Sequence, residues 1–353
     1  MKHLEEIIQS IGEPDVFAAQ AARARWDSVA KPLGSLGLFE ETVIKMAALR
    51  QTADVRTDPR VLAVFCADHG VVAQGVTQCG SEVTAHVASA LAEGRSTANT
   101  LAGAARCRVI PVDMGILDYP GHPGVRNLRL QNGSHDISSG PAMERETCVR
   151  ALERGAALVE ELAGEGCSLL AVGEMGIGNT TSAAALAAAL LNLPPEDCVG
   201  RGAGLSSEGL KRKQAVVRLA LERNLVGGED VVDLMAKLGG LEIAGMCGAF
   251  LGAAACRIPA VMDGMISSLA ALCAVRICPR AEMAILPSHC SREPVSGAIL
   301  RTLSMRAPLD ADMHLGEGSG ALMLMPLLDM ALGVYHSGQS FDRLGIAAYQ
   351  PLT

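Results

Sequence analysis

Five short apolar runs, each stopping at a polar cluster, constrain this chain more than any other feature. Val61–Phe65 runs into CADHGV, Arg108–Val112 into DMG, Ser168–Val172 into GEMGIGNTT, Ile258–Met262 into DG and Met283–Leu286 into PSHCS. Ala-rich amphipathic segments separate them, and this alternation reads as βαβ units of a parallel sheet. In an open parallel sheet, ligands bind beyond the carboxyl ends of the strands. The pattern therefore places Asp68, His69, Asp113, Glu174, Asp263 and Ser288–Ser291 along one rim. Any single acid is equally well explained as a cap on the following helix. The whole set is not.

The 353 residues suffice for two domains or one large α/β domain. The first fifty or so read as helices (LEEIIQSI, VFAAQAARARWDSVA, LFEETVIKMAALRQ), and the sheet pattern begins after Asp58–Pro59. Thirty basic residues against thirty-eight acidic, no Lys/Arg run, and only one Trp, three Tyr and five Phe argue against a nucleic-acid groove. Eleven scattered cysteines without a CxxC pair read as small core residues in a reducing cytosol. MKHLEEIIQSIGEPD carries charge where a signal peptide needs an apolar stretch. Met175–Pro195 is uncharged and long enough to span a bilayer. Its glycines and hydroxyls at one end and Pro194–Pro195 at the other make it a loop feeding a buried helix. The expectation is a cytoplasmic chain with no membrane partner.

Three glycine-rich loops carry the chemistry. GEMGIGNTT (173–181) lies between a strand and an Ala-rich helix, so its backbone can approach an anion at the helix N-terminus. It begins like a P-loop, but Asn179 stands where the phosphate-binding Lys belongs. A single phosphate needs less: backbone, hydroxyls and one cation from elsewhere. GRGAGLSSEG (200–209) leads into LKRKQ, where Lys213 or Arg201 could supply that cation. In HLGEGSG (314–320), a glutamate between two glycines fits a buried general base, or else a helix cap. The histidines show no HExxH or other metal-ligand spacing, and no G-x-S-x-G elbow occurs, so no metal is expected.

These loops, with KPLGSLG (31–37), ADHGV (67–71), LEIAGMCGAFLGAAACRIPAVMDG (241–264) and SHCSREP (288–294), together resemble one family. It is that of the nicotinate-nucleotide–dimethylbenzimidazole phosphoribosyltransferases, which make the lower-ligand nucleotide of cobalamin. The segments fall in family order over nearly the whole chain. The resemblance implies a Rossmann-like parallel sheet flanked by helices (56–304) and a small helical domain from both termini (1–55 and 305–353). It also implies a homodimer or a heterodimer with a paralogue, and no cofactor. The implied reaction moves the ribose 5-phosphate of nicotinate mononucleotide onto an aromatic base: dimethylbenzimidazole, another benzimidazole or purine, or a phenol. Nicotinate is released. By residue match, Glu317 is the catalytic base and Glu174 supports the ribose. Gly176, Gly178, Asn179, Thr180, Thr181, Gly202 and Lys213 hold the phosphate. Ser81, His86, Ser291, Leu315 and Gly316 line the nicotinate and base pocket.

The departures from the family pattern cluster at 76–86, where Cys79, Gly80 and His86 replace an aromatic, a proline and a glutamine. An aromatic face is worth about 0.5–1.5 kcal/mol of stacking, so dimethylbenzimidazole is not the expected favourite. Ala203, Ser319 and Asp136 are smaller departures. The competing readings are a weakly active paralogue acting as partner chain and a P-loop-like nucleotide enzyme, which Asn179 disfavours.

Overall fold

The computed structural model describes residues 1–202 and 204–349. Three helices open the chain, α1 (Leu4–Ser10), α2 (Val16–Ser28) and α3 (Leu38–Arg50). Asp15 caps α2 by accepting the Ala18 N–H at 2.9 Å. Strand β1 (Arg60–Ala67) follows, then α4 (Glu82–Ala92), α5 (Thr97–Ala104), β2 (Cys107–Gly115) and the two-residue β3 (Arg126–Asn127). Next come α6 (Arg145–Gly164), β4 (Leu169–Met175), α7 (Asn179–Leu191), α8 (Pro195–Cys198), α9 (Ser207–Asn224), α10 (Val231–Leu238) and α11 (Leu241–Ala255). The chain continues through β5 (Ala260–Met262), α12 (Met265–Ile277), β6 (Ile285–Pro287), α13 (Ser296–Thr302), α14 (Ser319–His336) and α15 (Phe341–Leu344).

The six strands form one sheet in the order β3-β2-β1-β4-β5-β6. Every pairing is parallel, as the alternating runs require. All five expected strands are present. Two are shorter than the runs: Ile258 and Pro259 precede β5, and Pro279–Ala284 form a 3-10 turn that consumes the start of the last run. The strand order reverses between β1 and β4, so a crevice opens at their carboxyl ends.

Each face of the sheet has its own core. On one, α6, α7, α10, α11 and α12 bury Ala63, Phe65, Leu170 and Val172, and α1 contributes Ile7 and Ile11. On the other, α2, α3, α5 and α14 cover Leu62, Val64, Leu169 and Ala171. Here Trp26 of α2 meets Tyr335 of α14 with ring centroids 4.9 Å apart. No helix among the described residues is long and apolar enough to cross a membrane.

Helix α11 is buried on all sides from Leu241 to Ala254, which explains an apolar sequence without an amphipathic stripe. It packs backbone to backbone on α6. A Cβ at Gly155 would enter the Gly245 carbonyl, one at Gly248 the Leu152 carbonyl, and one at Gly252 would stand 2.8 Å from the Ala156 Cα. G248A should therefore cost about 1–3 kcal/mol by forcing the helices apart. The check is the urea midpoint at unchanged m value; an unaltered midpoint would mean that the pair accommodates the methyl.

Candidate active site

A cavity of about 370 Å³ lies over the carboxyl ends of β4 and β5. Its floor begins where β4 breaks. Gly178 adopts φ 96° and serves as N-cap of α7, a conformation that favours glycine. Gly178, Asn179 and Thr180 at the start of α7 line the cavity, where a helix N-terminus favours an anion, while the Asn179 N–H donates to the Gly176 carbonyl at 3.2 Å. Gly176, Gly178, Asn179, Thr180, Gly202 and Lys213 all line this end. Lys213 is 1% exposed, and its ammonium donates to Thr180 Oγ at 2.7 Å. Burial pulls its pKa down to about 8, against the pull of Glu293. A lysine that the sequence alone would put on a solvated face is thus buried against the loop, and Arg201, the other candidate cation, also lines the cavity.

At the far side, Gly316, Glu317 and Gly318 all take left-handed backbone angles, Glu317 at φ 57°. The Glu317 N–H donates to the Glu174 carbonyl at 3.2 Å. Its Oε2 is buried without a hydrogen-bond partner, and Glu317 is among the residues that line the cavity. Burial raises the Glu317 pKa, the Ala98 N–H opposes this, and Asp263 adds to the rise. Glu174 shifts further, to about 8, first through burial and then through Asp263, Glu242 and Glu317. Burial and the neighbouring acids favour the protonated form of Glu174 at neutral pH, although the Asn179 amide donates to it.

Other rim residues support the loops from behind. His69 links Ser182 Oγ (2.9 Å) to Glu242 Oε1 (2.9 Å), all three buried. Burial pulls His69 down, but Glu242 more than offsets this and holds its pKa above the ordinary value. Asp68 accepts from Thr84 Oγ at 2.6 Å, and Thr84 in turn accepts the Ile177 N–H at 3.0 Å. Asp113 pairs with Arg129 at 3.0 Å. Asp68, His69 and Asp113 therefore brace the rim without lining the cavity. KPLGSLG lies at the start of α3, where Lys31 meets Glu40 at 2.6 Å.

Ser291, Leu315 and Gly316 line the cavity as expected; Ser81, His86 and Thr181 do not. His86 is exposed, its Nδ1 2.7 Å from the Glu82 carbonyl oxygen. Thr181 is fully buried below the loop. On α4 the helical phase turns Val83 and Val87 toward the cavity instead, four residues apart on one face. With Val76, Cys79, Met175 and Leu315 they make an aliphatic wall, and no Phe, Tyr or Trp lines the cavity among the described residues, although His289 and His314 do. Val83, Val87, Met175, Met265 and Glu293 were not singled out from the sequence. The four-residue spacing of the two valines was the available signal. Ala203 lies outside the described residues.

A helix-N-terminal anion cradle sharing one cavity with a carboxylate suits group transfer from a phosphorylated substrate. A family model described as Phosphoribosyltransferase matches residues 11–346. The protein of Acetivibrio thermocellus named nicotinate-nucleotide–dimethylbenzimidazole phosphoribosyltransferase is 39% identical over 348 residues, 99% of each chain. Its namesake in Halalkalibacterium halodurans is 40% identical over 347 residues, 98% of this chain and 97% of that one. The crystal structure of CobT from Thermus thermophilus superposes with a TM-score of 0.89 at 38% identity, covering 94% of this chain and all of that one. The protein is a phosphoribosyltransferase. It belongs to the nicotinate-nucleotide–dimethylbenzimidazole phosphoribosyltransferase family.

A carboxyl with a pKa of about 8 folded and the usual 4.5 unfolded binds more protons folded than unfolded between those values. Stability therefore falls as pH rises through that window. E174Q has no such proton to lose. Its urea midpoint should fall less between about pH 5 and 8 than that of the unaltered chain. Equal slopes would show Glu174 already ionised.

Proposed function

We propose that the chain transfers the ribose 5-phosphate of nicotinate mononucleotide to an aromatic lower-ligand base, giving the α-ribotide phosphate and nicotinate for cobamide synthesis. The observation that carries this reading is a single cavity lined by Lys213 and the start of α7 at one end and by Glu317, whose Oε2 has no hydrogen-bond partner, at the other. The 5′-phosphate sits at the N-terminus of α7, on the N–H groups of Gly178 and Thr180, and on Lys213. The ribose extends past Glu174 toward Glu317, and the acceptor lies against Val83, Val87, Met175 and Leu315.

The acceptor nitrogen, or oxygen for a phenol, attacks C1′ from the face opposite nicotinate while Glu317 takes the proton on the base's other ring nitrogen, or on the phenol hydroxyl. The C1′–N bond breaks with its electron pair returning to the pyridinium ring, which leaves as neutral-ring nicotinate. Inversion gives the α linkage, and the proton passes from Glu317 to water. A positioned base supplies about 10²–10⁴-fold. Alignment of two substrates in one cavity supplies more, as does negative charge near the oxocarbenium-like ribose. Glu174 contributes that charge once the cationic pyridinium displaces its proton. The helices from the two termini (1–55 and 305–353) serve in this reading as the small domain that carries Glu317, the enzyme acts as a dimer, and its place is the cytoplasm.

Nicotinate release from nicotinate mononucleotide, measured with dimethylbenzimidazole, adenine, phenol and p-cresol as acceptors, tests the proposal. Release with at least one is expected; none from folded, nucleotide-binding protein would overturn it. E317Q should lower kcat by about 10²–10⁴-fold and leave nucleotide Kd within about threefold, since the cradle is intact. A kcat near that of the unaltered enzyme would remove Glu317 from the role of base. K213A should weaken nucleotide binding by about 10–100-fold, the usual loss for one charged hydrogen bond. An unchanged Kd by calorimetry would remove Lys213 from the cradle.

A further inference from the structure

Asp263 follows β5, is 2% exposed and does not line the cavity. Its carboxylate instead accepts three backbone N–H groups from the turn that carries Glu317. Oδ2 takes Gly318 at 3.1 Å, and Oδ1 takes Gly320 at 2.7 Å and Ala321 at 3.3 Å. The Asp263 main chain is itself fixed. Its N–H donates to Ser267 Oγ at 3.1 Å, and Ser267 donates to the Val172 carbonyl of β4 at 2.9 Å. Its carbonyl accepts from Ser288 at 3.2 Å. The left-handed backbone at Glu317 is unusual for a residue with a side chain, and such strain persists only where neighbouring structure enforces it.

We infer that Asp263 is the positioning residue of Glu317, its carboxylate gripping the N-terminus of α14 so that the strained turn aims the glutamate at the acceptor. This rests on the reading of Glu317 as the general base. The groups facing Glu317 are Glu174 from β4, Asp263 after β5, His289 after β6 and the Ala98 N–H of α5, with Lys213 across the cavity. Removing the Asp263 charge therefore leaves the Glu317 carboxylate easier to form.

The test is a double-mutant cycle read by nicotinate release. D263N should lower kcat by about 10–100-fold, the cost of a displaced catalytic group, with the KM for nicotinate mononucleotide within about twofold. In an E317Q background the same change should cost under about threefold, because residues that act as one unit are not additive. The acid limb of the kcat/KM profile should move to lower pH in D263N. Equal losses in both backgrounds, a loss carried by KM, or an unmoved acid limb would each overturn the assignment. If D263N does not fold, D263S keeps one oxygen acceptor and bears the same expectations. No release by the unaltered enzyme would overturn the proposed function and this assignment with it. Release with additive losses would overturn the assignment alone.

Discussion

Crowding of carboxyl groups at one end of a parallel sheet governs this molecule. Glu174, Asp263, Glu242 and Glu317 converge there from four elements, and burial without compensation would be prohibitive. Each has a different remedy. Glu242 faces His69 through one oxygen and leaves the other unpartnered, Asp263 faces three N–H groups, burial favours the protonated form of Glu174, and Glu317 lines the cavity with one oxygen unpartnered. The four residues are chemically alike, and their surroundings set them apart.

The cavity holds opposite characters at its two ends. Polar backbone and one buried lysine form the phosphate end, while aliphatic side chains and a thiol form the other. Such a division suits a substrate pair with one charged and one apolar member.

Much of the fold was legible because a strand buried on both faces has a continuous apolar run. β1, β2 and β4 announce themselves this way, and β5 and β6 do so less sharply because turns consume part of their runs. β3 has two exposed residues and no period to read. The glycine loops were legible because a backbone that lines a cavity closely needs glycine, as Gly178 at φ 96° does. Helical phase was not. Ser81 and His86 lie within two residues of cavity-lining Val83 and Val87, yet about 100° per residue turns them away. Nor was the division of labour among the rim acids, since Asp68, Asp113, Glu174 and Asp263 look alike until their partners are placed.

The contact between α6 and α11 has a further consequence. An interface made of main chain has no rotamers to change, so the two helices respond to ligand as one rigid slab. Accommodation must come from the rim instead, where segment 76–80 touches the 200–209 loop through the Gln78 amide and the Gly204 carbonyl.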